Sequence, residues 1–227
     1  MICLSWTCRG LASKPKKLAL KDLITRHQPD VVFLQETLGK GFEIEVSLSS
    51  LLPGWVFSAL DASGHSGGLA IGFKVGRCKI QNSWGLPHAL GMEVFSSDFD
   101  QPLLLLNVYG PCQGRVPFWN NFLSKEFLLN KNLIIGGDLN FSLGMAEAWG
   151  PSTREDPLTD FFSKALQNVK LIDVNIIKAK PTWRNRRTGE GRVAKRLDVI
   201  FLQETLGKGT EIESTLRSLF PGWFFLH

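Results

Sequence analysis

The sequence predicts an α/β fold of packed β-sheets flanked by helices. Two observations lead there. Short apolar runs ("DVVFL", "PLLLLNVYG", "NLIIGG") read as strands, the β-branched "DVVFL" as one covered on both faces and "NLIIGG" as buried, and segments of helical period lie among them. Hairpin-like joins nevertheless outnumber regular βαβ steps, which disfavours a singly wound parallel sheet. At 227 residues, 44% hydrophobic and 21% charged, the chain can bury a core of domain size. No linker or low-complexity tract divides it, so one domain is expected.

Taken in order, Ile2 to Trp6 reads as a short buried strand. "KPKKLALKDLITRHQ" then places Leu20, Leu23, Ile24 and His27 on one helical stripe, and Pro29 stops the helix. "DVVFL" is the next strand. "GGLAIGFKVG", "MEVFSSDF" and "PLLLLNVYG" are further strands separated by Gly, Asp and Pro. In "VPFWNNFLSKEFLL", Phe118, Phe122 and Leu123 share a face; "NLIIGG" follows as a buried strand ending at Asp138, and then comes "DPLTDFFSKAL". "PTWRN" and "RVAKRLDVIFL" have the form of a strand pair joined by a basic loop.

Four cysteines (Cys3, Cys8, Cys78, Cys112) form no CxxC pair and no disulfide framework, which suits a reducing, intracellular compartment, nuclear or cytoplasmic. The N-terminal "MICLSWTCRGL" lacks a basic leader before a long apolar run, and no apolar segment reaches the roughly 18 residues of a membrane span. No membrane partner is expected. The net charge of +5 and pI of about 9.1 permit an anionic partner, but distribution matters more than the sum. Arg184, Arg186, Arg187, Arg192, Lys195 and Arg196 cluster in "RNRRTGEGRVAKR" beside Trp183. Such a loop can contact backbone phosphates, giving affinity without sequence choice. A solvated hairpin or a nuclear-import signal has the same composition.

"LQETLGKG" occurs twice, from Leu34 and from Leu202, and both copies run on to Pro-Gly-Trp. Asp30 to Phe57 and Asp198 to Phe225 agree at about three-quarters of positions. A solenoid needs about three or more stacked units, so two distant copies do not make one.

Carboxylates and amides stand at the ends of the buried runs: Glu36 after "DVVFLQ", Asp138 and Asn140 in "GGDLN", and Asp198 in "RLD". Strand ends let a rigid scaffold gather distant residues, and hard oxygen donors suit Mg²⁺ with its retained waters and a substrate phosphate. Strand-end charges and a turn-forming "DLN" would also account for the pattern.

In their order, "LSWTCRGL", "DVVFLQET", "SGGLAI", "LLNVYGP", "NLIIGGDLNFSLG", "PTWRN" and "RLDVIFL" resemble the endonuclease/exonuclease/phosphatase family, most closely the endonuclease domains of plant LINE-type retrotransposons. The resemblance covers Met1 to about Leu202. It implies a four-layer sandwich of two β-sheets between helices that hydrolyses phosphodiesters with Mg²⁺ or Mn²⁺, most naturally in DNA. On the matching motifs, Glu36 is the metal ligand, and Tyr109 is a hydrogen-bond donor at the scissile phosphate. Asp138 orients or deprotonates the attacking water, Asn140 stabilises phosphate oxygens, and Asp198 supports a catalytic histidine.

The chain departs from that pattern in two places. Thr7 stands where the family has Asn after the Trp, so a hydroxyl replaces an amide with its separate donor. The family's closing Ser-Asp-His, which supplies a metal-side aspartate and a phosphate-contacting histidine, occurs nowhere in the chain. Its place is taken by the second copy, so residues 203–227 read as a peripheral tail resembling 35–59 and leave the sandwich incomplete at its C-terminus. Of the four histidines, His27 and His88 read as structural or surface residues. His65 in "SGHSGG" is a candidate to approach a phosphate, whereas His227 at the end of the tail reads as coincidence. Two functions follow: a divalent-metal-dependent DNA endonuclease impaired at its site, or a non-catalytic retroelement remnant that at most binds nucleic acid. A small phosphodiester such as a phosphoinositide is a less favoured substrate.

Overall fold

Alternation along the apolar runs decides the architecture, because each strand has both faces to bury. The computed structural model describes residues 1–63, 66–97, 101–128, 132–174, 180–203 and 224–225. It opens with β1 (Cys3–Thr7), α1 (Lys14–His27), β2 (Val31–Gln35), α2 (Gly41–Leu51), β3 (Trp55–Ser63) and β4 (Ser66–Lys74). Then come β5 (Cys78–Leu86), β6 (Ala89–Ser96), β7 (Leu103–Tyr109), α3 (Arg115–Leu123) and β8 (Asn132–Asp138). The last third contains β9 (Ala148–Trp149), α4 (Thr159–Asn168), β10 (Leu171–Asp173), β11 (Trp183–Arg184), β12 (Ala194–Lys195), β13 (Asp198–Gln203) and β14 (Phe224–Phe225).

Two mixed sheets result, one ordered β14-β1-β2-β4-β3 and the other β10-β13-β8-β7-β6-β5, with a small sheet β11-β12-β9 beside them. Between the two large sheets lie Val31, Phe33, Ile71 and Phe73 of the first against Met92, Leu103, Leu105, Ile134 and Ile200 of the second. The opposite faces meet helices. Val32 and Leu34 pack with Leu20, Ile24, Ile44 and Leu48, while Leu104, Leu106, Ile135 and Phe201 pack with Trp119, Phe122, Phe162 and Leu166. The predicted sheets flanked by helices are therefore present, as a four-layer α/β/β/α sandwich. Gly136 lets the layers close, since a Cβ there would stand 2.7 Å from the Phe33 ring.

The structure changes two sequence readings. "RVAKRLDVIFL" is two strands, not one: β12 joins the small sheet, and β13 pairs antiparallel with β8 and β10. On α3, Phe122 and Leu123 are buried as expected, but Trp119 is buried with them and Phe118 is only half-buried. Of the tail, β14 lies parallel to β1 with Leu4 opposite Phe224; residues 204–223, including Trp223, and 226–227 lie outside the described residues.

Candidate active site

Five strands change from apolar to polar along their inter-sheet face, all at the same rim. Cys3, Ser5 and Thr7 follow one another on β1, as do Val31, Phe33 and Gln35 on β2; Leu103 and Leu105 lead to Asn107 and Tyr109 on β7, and Ile134 and Gly136 to Asp138 on β8. β13 runs the other way and begins at that rim with Asp198. Register completes the arrangement, with Thr7 opposite Gln35, Tyr109 opposite Asp138, and Asp138 opposite Asp198.

Below the rim, Gln35 and Asn107 are wholly buried and bonded to each other, Gln35 Nε2 donating to Asn107 Oδ1 at 2.7 Å. Asn107 Nδ2 also donates to the Leu34 and Ala70 carbonyls at 2.9 Å each, so a residue of the second sheet is tied to two strands of the first. Thr7 Oγ1 lies 3.3 Å from Gln35 Oε1 and donates to Asp198 Oδ1 at 2.7 Å. Asp198 is thus held by the Thr7 hydroxyl. Its backbone N–H also reaches Thr182 Oγ1 at 3.1 Å.

The Tyr109 hydroxyl donates to Glu36 Oε1. Glu36 has left-handed backbone (φ 53°), as does Asn140 (φ 54°), so both turn sharply as their strands end. Asn140 Nδ2 donates to the Gly110 carbonyl at 2.6 Å, and its N–H to Asp138 Oδ1 at 3.2 Å. Glu36, Tyr109, Asp138, Asn140, Asp198 and Thr7 therefore meet at one place.

Electrostatics mark the same spot. Burial, and then the facing Asp198, raises the Asp138 pKa well above the carboxylate range. Asp198 is raised by burial as well, against the lowering effect of the Thr7 hydroxyl. Tyr109 is raised by burial and by its bond to Glu36, so it stays a proton donor across the physiological range. The exposed Arg9 guanidinium favours the ionised form of both aspartates, which places positive charge at the rim.

Arg9, Gln35 and Asn107 were not singled out by the sequence. A polar residue continuing the buried phase of an apolar strand is the signal for Gln35 and Asn107; Arg9 offers no comparable signal. The basic cluster divides. Arg184, Arg186, Arg187 and Arg192 are exposed on the β11–β12 hairpin, and Lys195 is half-buried on β12. Arg196 must be withdrawn from the nucleic-acid surface. It is buried (3% exposed), donating to Glu147 and to both Asp173 oxygens at 2.7 Å, because the chain turns inward there to begin β13. His65 lies outside the described residues.

Residues 4–192 match the Endonuclease/Exonuclease/phosphatase family. The chain belongs to that family. Solved structures sharing its fold include the endonuclease domain of TRAS1, a telomere-specific non-LTR retrotransposon (17% identity over 89% of this chain and 84% of that one, TM-score 0.64). Others are the AP endonuclease LMAP from Leishmania major (18%, 89% and 78%, TM-score 0.65) and the 3' phosphatase NExo from Neisseria bound to product DNA hairpin (17%, 88% and 86%, TM-score 0.67). A comparison with curated proteins finds no match. Among the described residues, no helix is long and apolar enough to cross a membrane.

Proposed function

We propose that this chain is a divalent-metal-dependent phosphodiesterase of the DNA endonuclease type, of retrotransposon LINE descent, working far below the capacity of its family because the Ser-Asp-His triplet is missing and Thr7 replaces an amide. The convergence of Glu36, Tyr109, Asp138, Asn140 and Asp198 at one rim carries this reading. Family membership and neighbours named as nucleic-acid enzymes support it.

The donors fit a hard cation. Among the described residues there is no cluster of three or more His, Cys, Asp or Glu of the kind that encloses a metal. Mg²⁺ needs only one or two carboxylates and keeps its waters. Glu36 would hold the ion, having one oxygen on Tyr109; the nearby exposed Cys112 thiol is raised by partial desolvation and by Asp138 and Glu36. Once bound, Mg²⁺ or Mn²⁺ supplies charge neutralisation at the phosphate.

The chain's own groups supply the rest. Asp138, with its raised basicity, orients the attacking water and takes its proton. The second amide N–H of Asn140, and the Tyr109 O–H once it turns from Glu36, provide neutral donors for the phosphate oxygens, and Arg9 adds a cation at the rim. Asp198, which in the family supports a histidine, here accepts from Thr7. That contact favours the second reading, a remnant that binds nucleic acid without cutting it. We further propose that the catalytic domain ends near 202 and that 203–227 is a peripheral tail.

Mg²⁺-dependent plasmid nicking separates the readings. It should be compared for the native chain, Asp138→Asn, and a chimera whose residues after Leu202 are a family-type tail ending in Ser-Asp-His. We expect native nicking near background and a gain on the order of 10²- to 10⁴-fold in the chimera, abolished by Asp138→Asn. Efficient native nicking sensitive to Asp138→Asn would overturn the impairment. An inactive chimera, even with Thr7→Asn, would favour the remnant.

A further inference from the structure

Away from the carboxylates, a pocket of about 450 Å³ opens between the turn after β9 and the β11–β12 hairpin. Ser152, Thr153 and Arg154 line one wall, and Asn185, Arg187 and Val193 the other. The sequence had marked the hairpin alone.

The walls are locked together. Asn185 closes the hairpin from within, its Oδ1 accepting the Arg187 and Val193 N–H groups at 3.2 and 3.1 Å while its Nδ2 donates to the Gly191 carbonyl at 2.8 Å. The Ser152 hydroxyl donates to the Glu190 carbonyl across the gap. Gly150 has φ 116°, and a Cβ there would stand 2.2 Å from the Arg192 carbonyl oxygen, so the two backbones touch where only glycine fits. A pocket held this way keeps its shape without a ligand.

What faces it is cationic and unspent. Among the described residues neither the Arg154 nor the Arg187 guanidinium has an ion pair or hydrogen bond, and Thr153 Oγ1 has no hydrogen-bond partner. The exposed Arg184, Arg186 and Arg192 extend the positive surface along the hairpin. Two guanidinium forks beside hydroxyl and amide groups are chemistry for a phosphate. The pocket is also close to the rim, because the chain from Val193 to Asp198 spans at most about 17 Å. That is roughly five steps of a strand rising 3.4 Å per nucleotide.

We infer that this pocket is a phosphate subsite for the nucleic-acid strand, gripping one backbone phosphate between Arg154 and Arg187 a few nucleotides from the bond to be cut. The inference rests on the nuclease reading for the identity of the strand. Its volume leaves room for the adjoining sugar and ordered waters, which a lone ion would not need. The subsite fixes position and register on the strand and reads no base.

Binding tests it without catalysis. Anisotropy of a labelled oligonucleotide of about 12 nucleotides, titrated with the native chain in metal-free buffer at several salt concentrations, gives affinity and salt slope. Arg154→Ala should weaken binding about 5- to 10-fold at low salt, whereas Arg154→Lys should keep the slope and recover part of the affinity. Arg154→Ala with Arg187→Ala should lower the slope by about one in total, since both groups serve one phosphate. Both side chains are exposed and, among the described residues, unbonded, so the variants should fold. Unchanged affinity in Arg154→Ala, or slope losses that simply add, would overturn the subsite. Inorganic phosphate that displaces the oligonucleotide at low millimolar concentration would overturn its assignment to the backbone. Nicking, measured separately, judges the nuclease reading: Asp138-dependent cutting that persists beside unaltered Arg154→Ala binding removes the subsite alone.

Discussion

Asp30–Gln35 (DVVFLQ) and Asp198–Gln203 (DVIFLQ) differ at one position, yet they enter their sheets in opposite senses. β2 runs parallel to β1 and reaches the rim with Gln35, leaving Asp30 at the far end, where it accepts the Ile2 N–H at 2.7 Å and pairs with Arg77 at 2.9 Å. β13 starts at the rim with Asp198 and carries Gln203 away to the Leu128 and Val169 carbonyls. A hexapeptide thus specifies a strand and its two faces, but not which end meets the chemistry. That is decided by the strand's neighbours: β8, antiparallel to β13, brings Asp138 opposite Asp198, and no carboxylate stands opposite Asp30 on β1 or β4.

Paired substitutions would break or sharpen this contrast. The largest effect belongs to the aspartates. In the Ser-Asp-His chimera, Asp198→Asn should lower plasmid nicking by about 10²- to 10³-fold, while Asp30→Asn should leave the rate per folded molecule unchanged and lower only the urea midpoint. Equal rates for the two would dissolve the distinction.

The glutamines come next. Gln35→Leu strands the Asn107 carbonyl oxygen in a dry interior, at a cost of about 1–3 kcal/mol, and should also lower kcat through Thr7 and Asp198. Gln203→Leu removes donors from two carbonyls, about 1 kcal/mol, with no kinetic effect. Chemical denaturation and nicking on the same preparations read both.

A smaller effect has the opposite sign. Asp138 is raised in the folded state, so the fold binds more protons than the unfolded chain across the interval between ordinary and raised values. Stability is therefore greatest on the acid side of that interval and is lost as pH rises through the folded value. Without metal, Asp138→Asn should melt higher than the native chain at neutral or weakly alkaline pH, on the order of 2–4 °C. The gap should narrow as pH falls toward about 5. A variant that melts lower at every pH would show that the carboxylate pair is not a source of repulsion.

The sequence carried most of the fold because its buried runs are long enough to be unambiguous, and the motif order placed Glu36, Tyr109, Asp138, Asn140 and Asp198 on their strand ends. Besides Arg9, three things escaped it. Arg196 reads as one more cation in a basic run, and only the turn from the small sheet into β13 shows that it faces inward. Gln35 and Asn107 each continue the buried phase of an apolar strand, but nothing local pairs them, and they meet only once two sheets are stacked. Arg154 stands some thirty residues from the hairpin whose pocket it shares, an association made by the backbone contact of Gly150 with Arg192.

The buried Arg196 also makes the hairpin an exchangeable part. Its bonds to Glu147 and Asp173 anchor the foot of β12, and none of them involves the residues at the tip. Drift or an engineer can therefore lengthen, shorten or recharge the tip while the junction to the main sheet stays put, and a lineage of such chains would diversify in what it grips far sooner than in how it folds.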